Sequence, residues 1–366
     1  MTYLDYQATT PLAPEALDAM LPWLRADQPW SHANPHSAHR EGRRAKAAVE
    51  VAREQVAALL PPGGRLVFTS GATEALNWAI KGSTGRVVTV ATEHAAVLDT
   101  VASEARRGRA VSILPVGSNG LVDHRHQADG EGRTGLVAAM LVNNEIGVVQ
   151  PVAALAEAAH GVGALFLCDA VQGYGRVPIP PTVDLVAVSA HKIFGPKGVG
   201  VLWIRHGVAL EPLVHGGDQE GGRSGTLSPA LCAGFGAAAG LMAAQADSDA
   251  VHVERLWRSA RDTLGPDWIV NGSDEQRYHG NLNVRLPGLD VARLMSDLRD
   301  LAFSAGSACA SGSGRPSHVL RAIGLTDAEA RSSIRLGFGR YTTQYELVEA
   351  IGRIDAAARA QRRVAA

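Results

Sequence analysis

The sequence predicts an α/β fold: a large domain on a mainly parallel seven-stranded sheet, joined to a smaller α/β C-terminal domain. Three observations carry this expectation. Short β-branched or apolar runs recur at 65–69, 86–91, 110–115, 136–142, 163–168, 183–189 and 199–204. Alanine-rich helical stretches such as 73–81, 95–107 and 151–160 separate most of them, and that alternation is the pattern of a sheet with crossover helices on its faces. Polar clusters fall at the strand ends, among them Thr69 to Glu74, Glu93-His94, Asn143-Asn144-Glu145, Asp169 to Gln172 and Ser189 to Lys192. Open α/β sheets bind their ligands in the crevice at those ends.

The remaining elements follow in order. Pro11 and Pro14 bracket a short N-terminal arm with no pattern of its own. The stretch from Ser228 to about Gly265 reads as one long helix, or two broken near the polar Gln245 to Asp249, and bridges to the second domain. There 281–286, 301–305 and 333–338 read as strands, and 290–299, 316–323 and 344–361 as helices. The expected division is 15–245 for the large domain, and 1–14 with 246–366 for the small one. The glycine-rich tract 216–225 and the Gly/Ser tract around 304–314 read as mobile active-site loops.

Composition narrows the class. A chain of 366 residues with 46% hydrophobic content has ample material for a buried core, and a net charge of −1 gives no case for nucleic acid or an anionic membrane as the main partner. No apolar run reaches 18 residues, and Met-Thr-Tyr-Leu-Asp-Tyr lacks the regions of a signal peptide, so a cytoplasmic location is expected. Three cysteines make no disulfide framework. The chain has 31 arginines but only Lys46, Lys81, Lys192 and Lys197 as lysines, so lysine chemistry has few candidates.

Two constellations carry that chemistry. Ser304 to Gly314 sets Cys309 among small residues, where a thiol has access and freedom to move, whereas Cys168 and Cys232 sit in apolar runs. Taken alone, Cys309 is either a reactive thiol or an inert loop residue. Far upstream, Asp184 to Lys192 places a lysine just past a buried strand, beside Ser189 and His191. Partial desolvation there lowers a lysine's pKa and prepares it for a Schiff base. One βα unit earlier, Asp169 ends a buried strand and needs a cationic partner. A pyridinium nitrogen answers that need, and such a pair beside a lysine Schiff base is the signature of pyridoxal phosphate enzymes. Val67 to Glu74 has the form of a strand, a turn and a helix N-terminus, which is either an anion site or an ordinary cap. It lacks the dinucleotide glycine spacing, and Gly195-Pro196-Lys197-Gly198 lacks the end of a nucleotide P-loop, so a monophosphate is the expected anion. His32, His36 and His39 have near-helical spacing, but Pro35 interrupts it and no further ligand completes the set, so no metal is expected.

Eight motifs in order resemble one family. They are Tyr3 to Tyr6 with Ala8-Thr9-Thr10, Thr69 to Glu74, Glu93-His94, Val142 to Gly147, His191-Lys192 with Gly195 to Gly198, Arg223 to Thr226, Ser307-Ala308-Cys309 and Ser332 to Arg335. Together they resemble the cysteine desulfurases of the nitrogenase and iron–sulfur-cluster type, in the class V aminotransferase group of fold-type I pyridoxal phosphate (PLP) enzymes. The resemblance implies that Lys192 carries the cofactor and moves the substrate Cα proton, that His94 stacks on the pyridine ring, that Asp169 pairs its nitrogen and that Gln172 donates to its phenolic oxygen. It implies Ala72, Thr73, Ser189 and His191 around the phosphate, with Thr226 reaching a phosphate across a homodimer interface. Asn144 and Arg335, assisted by Asn34, would bind the carboxylate of L-cysteine. Cys309 would receive the sulfur as a persulfide for a sulfur-acceptor protein such as an iron–sulfur scaffold.

Other readings of the same residues are a selenocysteine lyase or aminotransferase on this fold, and a catalytically inactive sulfur-relay protein. An aminotransferase has no use for a thiol in a mobile loop. The chain departs from the family pattern at 123–130, at Asp218 and in its short Ala/Arg-rich C-terminus, which bears on docking to an acceptor.

Overall fold

A computed structural model describes residues 1–123, 132–306 and 316–365. The chain opens with β1 (Thr2–Tyr3) and the helices α1 (Pro14–Met20) and α2 (Arg40–Ala57). Neither helix is among the sequence expectations, although α2 buries Ala45, Val49, Ala52 and Val56 along one stripe at helical spacing. His39 caps it, its Nδ1 accepting from the Gly42 N–H at 3.2 Å.

The main sheet is built from β2 (Gly64–Thr69), β3 (Arg86–Val90), β4 (Val111–Leu114), β5 (Thr134–Met140), β6 (Leu165–Asp169), β7 (Leu185–Ser189) and β8 (Gly200–Arg205). Helices α3 (Ala72–Gly82), α4 (Ala95–Arg106) and α5 (Val152–Gly161) fill the crossovers. The strand order is β2-β8-β7-β6-β5-β3-β4, with every pairing parallel except those made by β8. Residues 190–199 turn the chain straight back from β7 into β8, a connection too short for a parallel crossover. That turn carries Lys192. Gly200 is required where it ends, because a Cβ there would lie 2.5 Å from the Val188 carbonyl oxygen and 2.7 Å from the Gly71 Cα. The fully buried β7, and β6 from Phe166 onward, read as continuous apolar runs for the reason parallel strands do: both faces are covered.

Helices α6 (Pro229–Ala244) and α7 (Ala246–Leu264) realise the expected long segment, with a break at Gln245 and a bend of 74°. In α6, Gly236 lets α2 approach closely, since a Cβ there would meet the Ala52 Cα at 2.8 Å. Among the described residues no single helix is long and apolar enough to cross a membrane.

The rest of the chain comprises β9 (Ile269–Val270), β10 (Asn281–Arg285), α8 (Val291–Asp297), β11 (Leu301–Ala302), β12 (Ser304–Ala305), α9 (His318–Ala322), α10 (Asp327–Arg331), β13 (Ser333–Gly337) and α11 (Gln344–Ala365). An antiparallel sheet of order β12-β13-β10-β9 forms here. The single strand expected at 301–305 is in fact two. Its first half pairs in parallel with β1 and its second antiparallel with β13, the change of partner falling at the buried Phe303. The N-terminal arm joins the two halves of the molecule. Leu4 packs in one core with Leu256, Leu282, Leu336 and Ile351, while Tyr6 packs in the other with residues such as Ile193 and Phe194.

Candidate active site

A cavity of about 610 Å³ opens at the carboxyl ends of the central strands. Its lining includes Ala72, Thr73, His94, Asn144, Asp169, Gln172, Ser189, His191, Lys192 and Arg335, all singled out in the sequence. Local folding explains each position. Asp169 and Ser189 are the last residues of β6 and β7, Ala72 and Thr73 open α3, and His94 caps α4 with Nδ1 accepting from the Ala96 N–H at 3.1 Å. With Nδ1 so engaged, the neutral imidazole carries its proton on Nε2.

The charges around this cavity are shaped by burial. Burial raises the pKa of Asp169, while the Val171 N–H donated to its Oδ1 at 2.9 Å, His94 and Lys192 act the other way. Behind it the fully buried Glu93 is pushed well above the carboxylate range by burial and then by Asp169, its Oε1 accepting from the Met140 N–H at 2.7 Å and its Oε2 having no partner among the described residues. Burial also lowers the pKa of His94, helped by Lys192 and His318 and opposed by Asp169. His191 falls to about 4 through burial, then Lys192 and Lys197, so its ring is neutral near pH 7. The Lys192 amine donates to the carbonyls of Gln7 at 2.5 Å and Ala8 at 2.8 Å. Gln172 Nε2 donates to that same Gln7 carbonyl at 2.9 Å, leaving its second N–H.

Arg335 reaches the cavity from β13, its side chain 1% exposed. Its Nη2 donates to Asp5 Oδ1 at 2.6 Å and Ser304 Oγ at 3.3 Å, its Nη1 to the Asn144 carbonyl at 3.0 Å, and its buried Nε has no partner among the described residues. Anchored through both terminal nitrogens, the guanidinium keeps one Nη1 N–H beyond these bonds, and such a donor is suited to a carboxylate.

Two residues singled out in the sequence do not line this cavity. Asn34 is exposed, its Oδ1 accepting from the His36 N–H at 2.8 Å in a local turn, and the Pro35 that follows keeps that turn out of a helix. Thr226 is exposed beyond the glycine-rich tract, near Arg223, whose guanidinium pairs with Glu74 in the first turn of α3. Cys309 and most of segment 123–130 lie outside the described residues. The residues that flank Cys309's segment are anchored beside the site. The Gly306 N–H donates to the Ser333 carbonyl at 2.8 Å, and Ser317 Oγ donates to the Glu145 carboxylate. His318 Nε2 meets the Glu93 carbonyl at 2.9 Å.

The structure adds residues to which the sequence reading gave no role: Asp5 on Arg335, Gln7 and Ala8 on Lys192, Thr9 on His191 at 3.2 Å, and Lys197 in the lining. The motif Tyr3 to Thr10 is the only signal for the first four, and nothing in it specifies partners more than 180 positions away.

These residues fit pyridoxal phosphate. Asp169 is a buried carboxylate in want of a cation, Lys192 is an amine at the cavity wall, and the α3 N-terminus with Thr73, Ser189, His191 and Lys197 offers donors to a phosphate dianion.

Known proteins similar to this chain agree. The aminotransferase class-V family matches residues 2–350. A cysteine desulfurase IscS of Shewanella amazonensis is 44% identical, the alignment covering 96% of this chain and 91% of that one. A solved NifS-like protein superposes with a TM-score of 0.86 at 32% identity, covering 97% of this chain and 98% of its own. The structure of SspA in complex with cysteine matches with a TM-score of 0.81 at 35% identity over 94% of this chain and 100% of that one. With the family matched over residues 2–350 and a cysteine desulfurase aligned over 96% of the chain, the chain belongs to the class-V aminotransferase family, on the branch of the cysteine desulfurases.

Proposed function

We propose that the protein converts L-cysteine to L-alanine with pyridoxal phosphate as cofactor, and passes the sulfur to its own Cys309 as a persulfide. The single observation that carries this reading is the convergence of Lys192, Asp169, His94 and Arg335 on one cavity. When bound, the cofactor supplies an aldehyde for an amine and a ring that takes up the electrons released as a Cα proton leaves. Asp169 would keep the proton on the ring nitrogen, and its burial makes that pairing strong. Thr73, Ala72, Ser189 and His191 would hold the phosphate, His191 as a neutral donor, and Gln172 would donate its second N–H to the phenolic oxygen.

Arg335 and Asn144 would orient the substrate carboxylate, Arg335 by N–H capacity beyond its bonds to Asp5, Ser304 and the Asn144 carbonyl. Lys192, released from the Gln7 and Ala8 carbonyls, would carry a proton to and from Cα. His94, neutral at pH 7 and protonated on Nε2, would face the ring and relay that proton. The Cys309 thiolate would then form a bond to the substrate sulfur as the Cβ–S bond breaks, its electron pair staying on carbon to be protonated in alanine. Anchors at Gly306 and Ser317 favour this role, because the Ser317 partner Glu145 adjoins Asn144.

In the same reading 1–14 and 246–366 form the small domain and 15–245 the large one. A homodimer forms in which Thr226 serves the partner's phosphate and Asn34 lies near the second site. The protein works in the cytoplasm and delivers sulfur to an acceptor protein such as an iron–sulfur scaffold. The test is product analysis with L-cysteine: equimolar alanine and sulfane sulfur are expected, and a Cys309→Ser variant should stay yellow yet lose turnover. Pyruvate-type keto acid in place of alanine, or undiminished turnover in the variant, would refute the proposal.

A further inference from the structure

The N-terminal arm lies along the turn that carries Lys192 and is tied down on both sides. Toward the turn, Thr10 donates to the His191 carbonyl from its N–H at 2.9 Å and its Oγ1 at 3.0 Å, and the Phe194 N–H donates to Thr10 Oγ1 at 2.7 Å. Toward β13, the Tyr6 N–H donates to the Gly337 carbonyl at 3.3 Å and the Gly337 N–H to the Leu4 carbonyl at 2.7 Å. Between these ties the chain turns, the Ala8 N–H donating to the Asp5 carbonyl at 2.9 Å, and the turn presents the carbonyls of Gln7 and Ala8 to the Lys192 amine.

The side chain of Gln7 has a seat of its own. The residue is 4% exposed, and its Nε2 donates to the buried Gly280 carbonyl at 2.8 Å. Its amide also fills the space that a side chain at position 337 would need, because a Cβ on Gly337 would lie 1.8 Å from Gln7 Oε1. The backbone carbonyl of this anchored residue receives two donors, the Lys192 amine and Gln172 Nε2. One acceptor is thus shared by two groups of the catalytic cavity. An amine bonded to two fixed carbonyls has two of its tetrahedral directions set, and with them the direction from which its nitrogen meets a carbon atom. A lysine stem without such bonds samples many rotamers, whereas holding reacting atoms in line gives large factors in rate.

We propose that Gln7 is a positioning residue for Lys192. Its side chain, seated against Gly280 and Gly337, fixes the carbonyl that holds the amine at the cavity wall before the amine meets the cofactor, and that takes the amine up again once the amine of the substrate has displaced it. This role rests on the reading of Lys192 as the lysine that carries the cofactor.

The test is the rate at which the cofactor-free protein captures pyridoxal phosphate, followed by the visible band with no cysteine present. Capture joins the amine nitrogen to the aldehyde carbon with loss of water. Gln7→Met keeps the volume and unbranched shape but removes the Nε2 donor, and it should slow capture at least about tenfold while the band reaches its full height. If that variant does not fold, Gln7→Ala makes the same comparison. Deoxypyridoxine phosphate, which lacks the aldehyde, should bind parent and variant about equally, whereas a merely structural role for Gln7 would weaken it. Capture as fast as in the parent, or faster, would overturn this role and leave the desulfurase reading intact. So would slower capture accompanied by an equal loss of deoxypyridoxine phosphate affinity. A parent protein that forms no visible band would overturn both.

Discussion

Replacing Asp169 with asparagine should move the cofactor-free and cofactor-loaded proteins in opposite directions. Asp169 is buried beside the buried Glu93, and burial raises its pKa above the ordinary 3.8. A raised carboxylate pKa means that the folded state holds the proton more tightly than the unfolded one. Near pH 7 the charge therefore opposes folding of the cofactor-free protein, and the penalty is relieved as pH falls through the folded-state pKa toward 3.8. Asparagine keeps an oxygen for the Val171 N–H and removes the charge. The cofactor-free variant should therefore be more stable than the parent at pH 7, with a higher Tm, and the difference should shrink as the pH falls. In the loaded protein the same change deprives the ring nitrogen of its counter-charge, costing about 2–4 kcal/mol of cofactor affinity, or roughly 30- to 1000-fold. Scanning calorimetry of the cofactor-free proteins and titration of the cofactor's visible band measure the two quantities. Loss of stability in the cofactor-free variant, or unaltered cofactor affinity, would show that the Asp169 charge does not act in this way.

Three further outcomes are expected. Asp5→Asn removes the charge that holds the buried Arg335, at a cost of about 1–3 kcal/mol given Asp5's partial exposure, and should raise the KM for cysteine about tenfold with kcat little changed; urea unfolding and steady-state kinetics check both. Glu93→Gln should be much better tolerated than Glu93→Ala, because burial disfavours the charged carboxylate and glutamine keeps an acceptor, whereas alanine should cost about 1–3 kcal/mol by stripping the Met140 N–H of its acceptor; urea unfolding compares the two. In the cofactor-free protein the depressed pKa of His191, about 4, means that the unfolded chain takes up a proton first as pH falls below about 6.5. Stability should fall between those values, and His191→Asn should flatten that part of the stability–pH curve.

Much of this was legible in the residues themselves, for physical reasons that also mark where legibility ends. The central strand β7 stands out because burial on both faces leaves no polar residue inside Leu185-Val186-Ala187-Val188. Site residues stand out because Asp169 and Ser189 are the first polar groups after such runs and His94 closes the polar trio Thr92-Glu93-His94 after another. Helix α2 is obscured by its arginines and glutamates, although Ala45, Val49, Ala52 and Val56 keep the period. The split of 301–305 depends on which distant strand each half meets, and no local pattern encodes that. The same holds for Asp5 and Arg335, 330 positions apart. Thr226 and Asn34, exposed in one chain, depend on a second copy for the roles proposed here.

The decisive measurement locates the sulfur. After brief exposure to L-cysteine, mass spectrometry of the tryptic peptide spanning 300–321, whose only cysteine is Cys309, should find the mass of one added sulfur atom on that residue. The peptides bearing the buried Cys168 and Cys232 should be unmodified. An unmodified Cys309 in protein that is releasing alanine, or sulfur carried by either buried thiol instead, would contradict the role assigned to Cys309.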